Sequence, residues 1–339
     1  MAVDRLNRSY KLVRRPQGMP AAQDFRLVEE AVPEPAEGQF LVRNHYASLD
    51  PAMRGWMDDR PSYLPPIPLG ASMRAGTIGV IEKSRNADFP VGRWVSSHNA
   101  IEDYSLCDGG GRTRLVDPDG VPSVTNYLSA IGTVGMTAYF GLLDVGRPKA
   151  GETVLVSGAA GAVGSLVGQI AKMKGCRTIG IAGGAAKCAR LLRDYGYDVA
   201  IDYRGKSYPE LIAAIGEAAP DGVDLQFENV GGAILDAGLV TLNPYGRIVL
   251  CGLISQYNSE PYPLRNVWQL IAKGARMEGF IMTHFFHRGA EALPDLTAWV
   301  GQGKLRVDEH IEQGLENFLP AFLRLFEGTN EGKMILKLT

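Results

Sequence analysis

Two textures of hydrophobic and polar positions divide the chain. From residue 1 to about 125, short runs alternate apolar and polar residues, as in Gln39-Phe40-Leu41-Val42-Arg43-Asn44 and Gly76-Thr77-Ile78-Gly79-Val80-Ile81-Glu82. Pro and Gly separate them. Period-two alternation punctuated by turn residues predicts β-strands and little long helix. From about Tyr127, apolar strands alternate with helical stretches, the strands falling at Thr153–Ser157, Thr178–Ile181, Val199–Asp202, Val223–Glu228 and Gly246–Leu250. That alternation specifies a parallel sheet with right-handed crossovers. The ending Lys333-Met334-Ile335-Leu336-Lys337-Leu338 reads as one more strand, suited to return to the first domain. The predicted class is α/β: a β-rich domain over 1–125 completed by 304–339, and a doubly wound parallel sheet over 126–303.

Composition narrows the possibilities without naming a function. At 339 residues the chain suits two domains. Hydrophobic residues at 45% and charged residues at 21% describe an ordinary globular protein, and a net charge of −2 gives no reason to expect nucleic acid or an anionic membrane surface as partner. Met1 to Arg15 is charged and holds no apolar run, so neither a signal peptide nor a membrane span is expected, and the cytoplasm is the default compartment. Cys107, Cys176, Cys188 and Cys251 lack C-x-x-C spacing and suggest neither a disulfide framework nor a zinc knuckle. His284 and His287 stand three apart in a Phe-rich stretch with no carboxylate or cysteine to complete a ligand set, so no metal site is expected.

The stretch Val154–Ser165 carries the clearest chemistry. A buried strand runs into Gly158, Gly161 and Gly164 at three-residue spacing, and these open a helix through Leu166, Val167, Ile170 and Ala171. Such a turn points helix N–H groups and the positive end of the helix dipole at a pyrophosphate. The spacing departs from the strict G-x-G-x-x-G, and ordinary strand-to-helix turns share it. A second strand, Arg177–Ala182, supplies the βαβ context that a nucleotide loop requires. At its end, where an NAD site places an Asp or Glu for the ribose, the chain reads Gly183-Gly184-Ala185-Ala186-Lys187. Without an acid there a 2′-phosphate is admissible and Lys187 offers a cation, which favours NADPH over NADH. Lys187 also reads as a solvated residue in the first turn of the next helix.

A β-rich domain followed by a Rossmann domain resembles the medium-chain dehydrogenase/reductase superfamily. Six segments narrow the resemblance to a zinc-independent branch: Ala47–Gly55, Gly132–Leu142, Gly158–Lys172, Phe227–Gly232, Cys251–Asn258 and Asn330–Lys333. In order, they are similar to those of the prostaglandin reductase and leukotriene B4 12-hydroxydehydrogenase family, whose relatives include curcumin reductase and the alkenal double-bond reductases. The resemblance spans nearly the whole chain and implies a GroES-like β-rich catalytic domain beside the Rossmann domain. Zinc alcohol dehydrogenases of the superfamily need a Gly-His-Glu segment, whereas the comparable stretch here is Pro68-Leu69-Gly70-Ala71-Ser72-Met73.

The resemblance implies a site residue by residue. Gly161, Ala162, Val163 and Gly164 correspond to the pyrophosphate contact of NADP(H), and Lys187 with Tyr203 to the pair at the 2′-phosphate. Asn229 follows the fourth Rossmann strand. The run Cys251, Gly252, Ile254, Ser255 and Tyr257 lies over the nicotinamide, Phe280, Ile281 and Met282 beside it, and Asn330 adds a late contact. Many relatives carry Ser where this chain has Gly184, which puts one phosphate hydrogen bond in doubt.

The implied reaction is reduction of the C=C bond of an α,β-unsaturated ketone or aldehyde, with the Tyr257 hydroxyl as the catalytic donor to the developing enolate oxyanion. Tyr257 as mere packing on the cofactor remains the competing reading. Met53, Trp56 and Tyr63 from the first domain, and Met282, Phe285 and Phe286 from the second, are the implied substrate contacts, each also readable as plain core. Rivals are an NADPH quinone oxidoreductase of the same fold and a non-catalytic NADPH-binding protein. By analogy with relatives, a homodimer would form edge to edge through Arg276–Ile281.

Overall fold

Alternating side chains on the N-terminal segments produce the first unit. A computed structural model describes residues 5–339, so Met1–Asp4 of the charged leading stretch lie outside the described residues. Strands β1 (Leu6–Leu12) and β2 (Phe25–Ala31) form an antiparallel pair. The strands β3 (Phe40–Ser48), β4 (Arg74–Ser84), β5 (Trp94–Ala100), β6 (Tyr104–Cys107) and β7 (Arg114–Val116) follow, with a one-turn helix α1 (Met53–Trp56) after β3. The alternation read at residues 39–44 and 76–82 lies in β3 and β4.

The second unit runs from Ser129 to Asp308. It opens with helix α2 (Thr133–Phe140) and then alternates β8 (Thr153–Ser157), α3 (Ala162–Met173), β9 (Arg177–Ala182), α4 (Ala185–Asp194), β10 (Val199–Asp202), α5 (Tyr208–Ala218), β11 (Val223–Glu228), α6 (Gly232–Thr241) and β12 (Leu242–Leu250). Short helix α7 (Gln269–Ala272), edge strand β13 (Arg276–Gly279) and helix α8 (Gly289–Gly301) complete it. The sheet order is β10-β9-β8-β11-β12-β13, and every neighbouring pair is parallel. All five residues of β8 are buried, as a continuous apolar run covered on both faces demands. Strand order reverses between β8 and β11, so the crevice at their carboxyl ends is the topological switch point where such sheets bind ligands.

The chain then returns. Strand β14 (Glu309–Gln313), helix α9 (Phe318–Glu327) and strand β15 (Lys333–Lys337) belong to the first unit, with β15 antiparallel to β3 and parallel to β14. The sheet order is β14-β15-β3-β4-β5-β7, with β6 also on β3. The junctions between units fall slightly later in the chain than the change of texture suggests. Leu128 packs with Ile78 and Ile335 in the first unit, and Arg306 is tied by its backbone N–H and C=O to the Gln169 side chain in the second. No helix among the described residues is long and apolar enough to cross a membrane.

Candidate active site

The glycine loop sits at the switch point. Gly161 is the residue before α3, and Ala162, Val163 and Gly164 form its first turn, whose N–H groups have no acceptor within the helix. A Cβ on Gly164 would stand 2.4 Å from the Gly158 carbonyl oxygen, so only glycine lets the helix start this close to the strand. The buried Tyr197 hydroxyl donates to the Gly164 carbonyl at 2.7 Å and fixes the height of that first turn.

A buried carboxylate organises the opposite lip of the crevice. Glu228, at the end of β11, is fully enclosed and accepts the Ser157 hydroxyl at 2.6 Å and the backbone N–H groups of Val230 and Gly231 at 2.7 Å each. Burial pushes its carboxyl up, against those donors. Asn229 donates from its side chain to the Ser157 carbonyl at 2.7 Å, and its backbone N–H bonds the Ser157 hydroxyl at 2.8 Å. Ser157 and Glu228 thus join the ends of β8 and β11 and hold Asn229 beside the glycine loop. Neither partner stood out in the sequence, because a Ser and a Glu closing apolar runs look like ordinary strand ends.

The run 251–257 leaves the neighbouring strand β12. The Cys251 and Gly252 N–H groups both bond the Glu228 carbonyl, at 2.9 and 3.1 Å, so this run hangs on the same element as Asn229. Burial, with the Glu228 charge adding, pushes the Cys251 thiol up to about 12, which leaves it a neutral packing group. Ile254–Gln256 make a single helical turn, and the Tyr257 hydroxyl curls back to accept the Leu253 N–H at 3.3 Å. Ser255 donates to the Val230 carbonyl at 2.7 Å. A crevice of about 550 Å³ opens alongside, lined among others by Tyr203, Val230, Gly231, Ser255, Gln256 and Tyr262. Lys187 lies in the first turn of α4 and Tyr203 just past β10. The unfilled first-turn donors, the close-approach glycine and this crevice fit a dinucleotide laid over the carboxyl ends of the sheet.

Phe280, Ile281 and Met282 follow β13. Phe285 stacks on Phe140 at 5.0 Å and meets Phe280 edge-on at 6.2 Å, so it belongs to an aromatic cluster of its own unit, and Phe286 is half-buried beside it in sequence.

In the first unit, Trp56 donates its indole N–H to the Tyr63 hydroxyl at 3.0 Å, and Tyr63 is 43% exposed. Met53 departs from expectation: it is 0% exposed within the core that contains Leu49, Met57 and Phe318, and supports Trp56 from behind instead of presenting a surface. Two sequence motifs far apart in the chain meet here, for Lys333 donates to the Leu49 carbonyl at 2.6 Å and to the Asp50 carboxylate at 2.9 Å. Asn330 spends its side-chain N–H on the Gly332 carbonyl at 2.9 Å, shaping the turn that delivers Lys333.

Comparison with known proteins covers nearly the whole chain. Residues 8–115 match the family described as the N-terminal domain of oxidoreductase, and residues 162–299 match the family described as zinc-binding dehydrogenase. Despite that second description, no group of three or more His, Cys, Asp and Glu side chains among the described residues is placed to hold a metal. The NADPH-dependent curcumin reductase of Escherichia coli is 41% identical over 338 residues, covering 98% of this chain and 96% of that protein. Prostaglandin reductase 1 of Rattus norvegicus is 39% identical over 337 residues, covering 97% and 98%. The crystal structure of CurA from Vibrio vulnificus in complex with NADPH superposes with a TM-score of 0.91 at 42% identity, covering 98% of this chain and 99% of that one. The chain belongs to the zinc-independent medium-chain dehydrogenase/reductase family of the prostaglandin reductase and curcumin reductase type.

Proposed function

We propose that this chain is a reductase that uses NADPH to saturate the C=C bond of an α,β-unsaturated ketone or aldehyde. The observation that carries the reading is full-length likeness, at 41% identity, to an NADPH-dependent curcumin reductase. The enzyme is an NADPH-dependent oxidoreductase; the enone or enal as its substrate is the proposal. When bound, the cofactor supplies a hydride from C4 of its nicotinamide.

The chain supplies position and charge. First-turn N–H groups of Ala162, Val163 and Gly164 hold the pyrophosphate, and Lys187 with Tyr203 holds the 2′-phosphate. Asn229, the run 251–257 and Phe280–Met282 orient the nicotinamide. As the β-carbon gains the hydride, the C=C electron pair moves toward the carbonyl and charge develops on oxygen. The Tyr257 hydroxyl, its oxygen already accepting the Leu253 N–H, directs its proton to that oxygen as a hydrogen bond. A solvent proton then completes the α-carbon. Met282, Phe285 and Phe286, which follow β13 in the unit that carries the glycine loop, are the proposed apolar substrate contacts.

The same reading makes the protein a cytoplasmic homodimer. Supporting the dimer, β13 is an edge of its sheet, and Trp268 and Ile271, shortly before it in the chain, are 58% and 87% exposed. NADPH consumption with an enone, an enal and a benzoquinone in parallel tests the activity. Faster turnover of the enone or enal is expected. Preference for the quinone, or tight NADPH binding with no turnover of any of the three, overturns it.

A further inference from the structure

The exit of β10 brings a second cation to the phosphate end of the nucleotide site. Asp202, the last residue of β10, accepts the Gly184 N–H at 2.8 Å and the Arg204 N–H at 3.0 Å. The Tyr203 N–H bonds the Ala182 carbonyl at 3.2 Å. The Gly183–Gly184 turn that ends β9 is thereby fastened to the turn carrying Tyr203 and Arg204. Those two N–H donors, the Gly184 one foremost, together with the Arg204 and Lys206 charges, outweigh desolvation and hold the Asp202 carboxyl below its ordinary range.

The side chains follow the backbone. A Cβ placed on Gly183 would lie 3.1 Å from the Arg204 Nε and 3.1 Å from the Tyr203 hydroxyl. One placed on Gly184 would lie 3.6 Å from an Arg204 terminal nitrogen. The guanidinium therefore spreads over the turn at which α4 begins and whose first turn carries Lys187. Gly184 has φ +97°, a conformation that strains any L side chain, so a serine hydroxyl is not readily supplied from this backbone. Arg204 is exposed and forms no ion pair among the described residues. A planar fork of donors, next to a tyrosine hydroxyl and across a glycine turn from a lysine, matches a phosphate monoester dianion.

We propose that Arg204 reads the 2′-phosphate of NADPH together with Lys187 and Tyr203, and replaces the hydrogen bond that Gly184 cannot give. The inference rests on the nucleotide placement given under the proposed function.

The test is equilibrium binding, by titration calorimetry, of NADP⁺, NAD⁺, 2′,5′-ADP and 5′-AMP to the wild type, Arg204→Ala and Arg204→Lys. Loss of a charge-assisted hydrogen bond to a phosphate corresponds to about a tenfold to hundredfold rise in Kd. That rise is expected in Arg204→Ala for NADP⁺ and 2′,5′-ADP, with less than about a twofold change for NAD⁺ and 5′-AMP, and Arg204→Lys falling between. Circular dichroism and thermal unfolding confirm that the variants fold. An unchanged Kd for NADP⁺ in both variants, or equal losses for the phosphorylated and unphosphorylated ligands, overturns the role of Arg204 alone. A wild type that binds NADP⁺ no better than NAD⁺ overturns the nucleotide placement itself.

Discussion

Lys333 donates its ammonium to Asp50 across most of the sequence, at 2.9 Å, and joins the chain's last strand to the segment that leaves β3. The pair is asymmetric. The lysine side chain is 3% exposed, whereas that of Asp50 retains 35% exposure. Burial pushes the Asp50 carboxyl up, but Lys333 and the Ser48 hydroxyl outweigh burial and hold it below its ordinary range.

Removing each partner should therefore cost different amounts. Asp50→Ala strands an enclosed ammonium with only the Leu49 carbonyl, and about 3–5 kcal/mol of stability should be lost. Lys333→Met leaves a carboxylate that water can reach, and about 1–2 kcal/mol is expected. Denaturant unfolding of both variants checks the order. Lys333→Met as the costlier change would show that the buried charge is not what governs the pair.

Cofactor discrimination should depend on Lys187. Lys187→Ala is expected to raise KM for NADPH by about tenfold to a hundredfold, the loss of one charge-assisted hydrogen bond, and to leave KM for NADH nearly unchanged. Steady-state kinetics with both cofactors measures it. Equal losses with the two would mean that Lys187 does not contact the phosphate.

How legible all this was depends on which physical signals stay local. Strand β8 shows itself because both its faces are covered, which forces a run of apolar residues. Strand β14, reading Glu309-His310-Ile311-Glu312-Gln313, is invisible because it is partly exposed and its partner, β15, lies twenty residues further on. The β1–β2 pair escaped because a long connection, not a two-residue turn, joins its strands. The glycine loop was readable since backbone approach demands glycine at fixed spacing. Arg204 was not, because its relevance comes from β10 lying beside β9, a tertiary fact. The one available signal was a cation directly after Tyr203. Met53 misled because an apolar residue in a motif looks alike whether it faces a substrate or the core.

Acid should destabilise the first unit through His98. Burial, reinforced by Arg112 and Arg74 and opposed by Asp50, lowers its pKa from 6.5 to about 4. Trp56 packs edge-on against it at 5.8 Å. Between those two values the unfolded chain binds the proton and the folded one does not, so stability rises with pH across that window. The contribution is whole above pH 6.5 and lost as pH falls toward 4, reaching about 3 kcal/mol in total. In His98→Gln this part of the acid sensitivity should vanish. Unfolding free energies of both proteins at pH 7.5 and about pH 5 test it, and identical slopes would rule the histidine out.

The Tyr257 hydroxyl is the most exacting test of the chemistry. Its oxygen accepts the Leu253 N–H, which holds the phenol against the loop, and in the proposed reaction its proton goes to the enolate oxygen. A donor preorganised in this way stabilises an oxyanion without reorganising when charge develops. Tyr257→Phe keeps the ring and its packing, so NADPH affinity should change by less than about twofold. Loss of an oxyanion donor can cost on the order of 10²–10³ in rate, but the cofactor ribose hydroxyl is able to share the role, and about tenfold is expected. Product release can mask a slowed chemical step, so single-turnover oxidation of bound NADPH by an enone is the measurement. Hydride transfer at the wild-type rate would make Tyr257 a packing residue and leave stabilisation of the enolate to the ribose or to water.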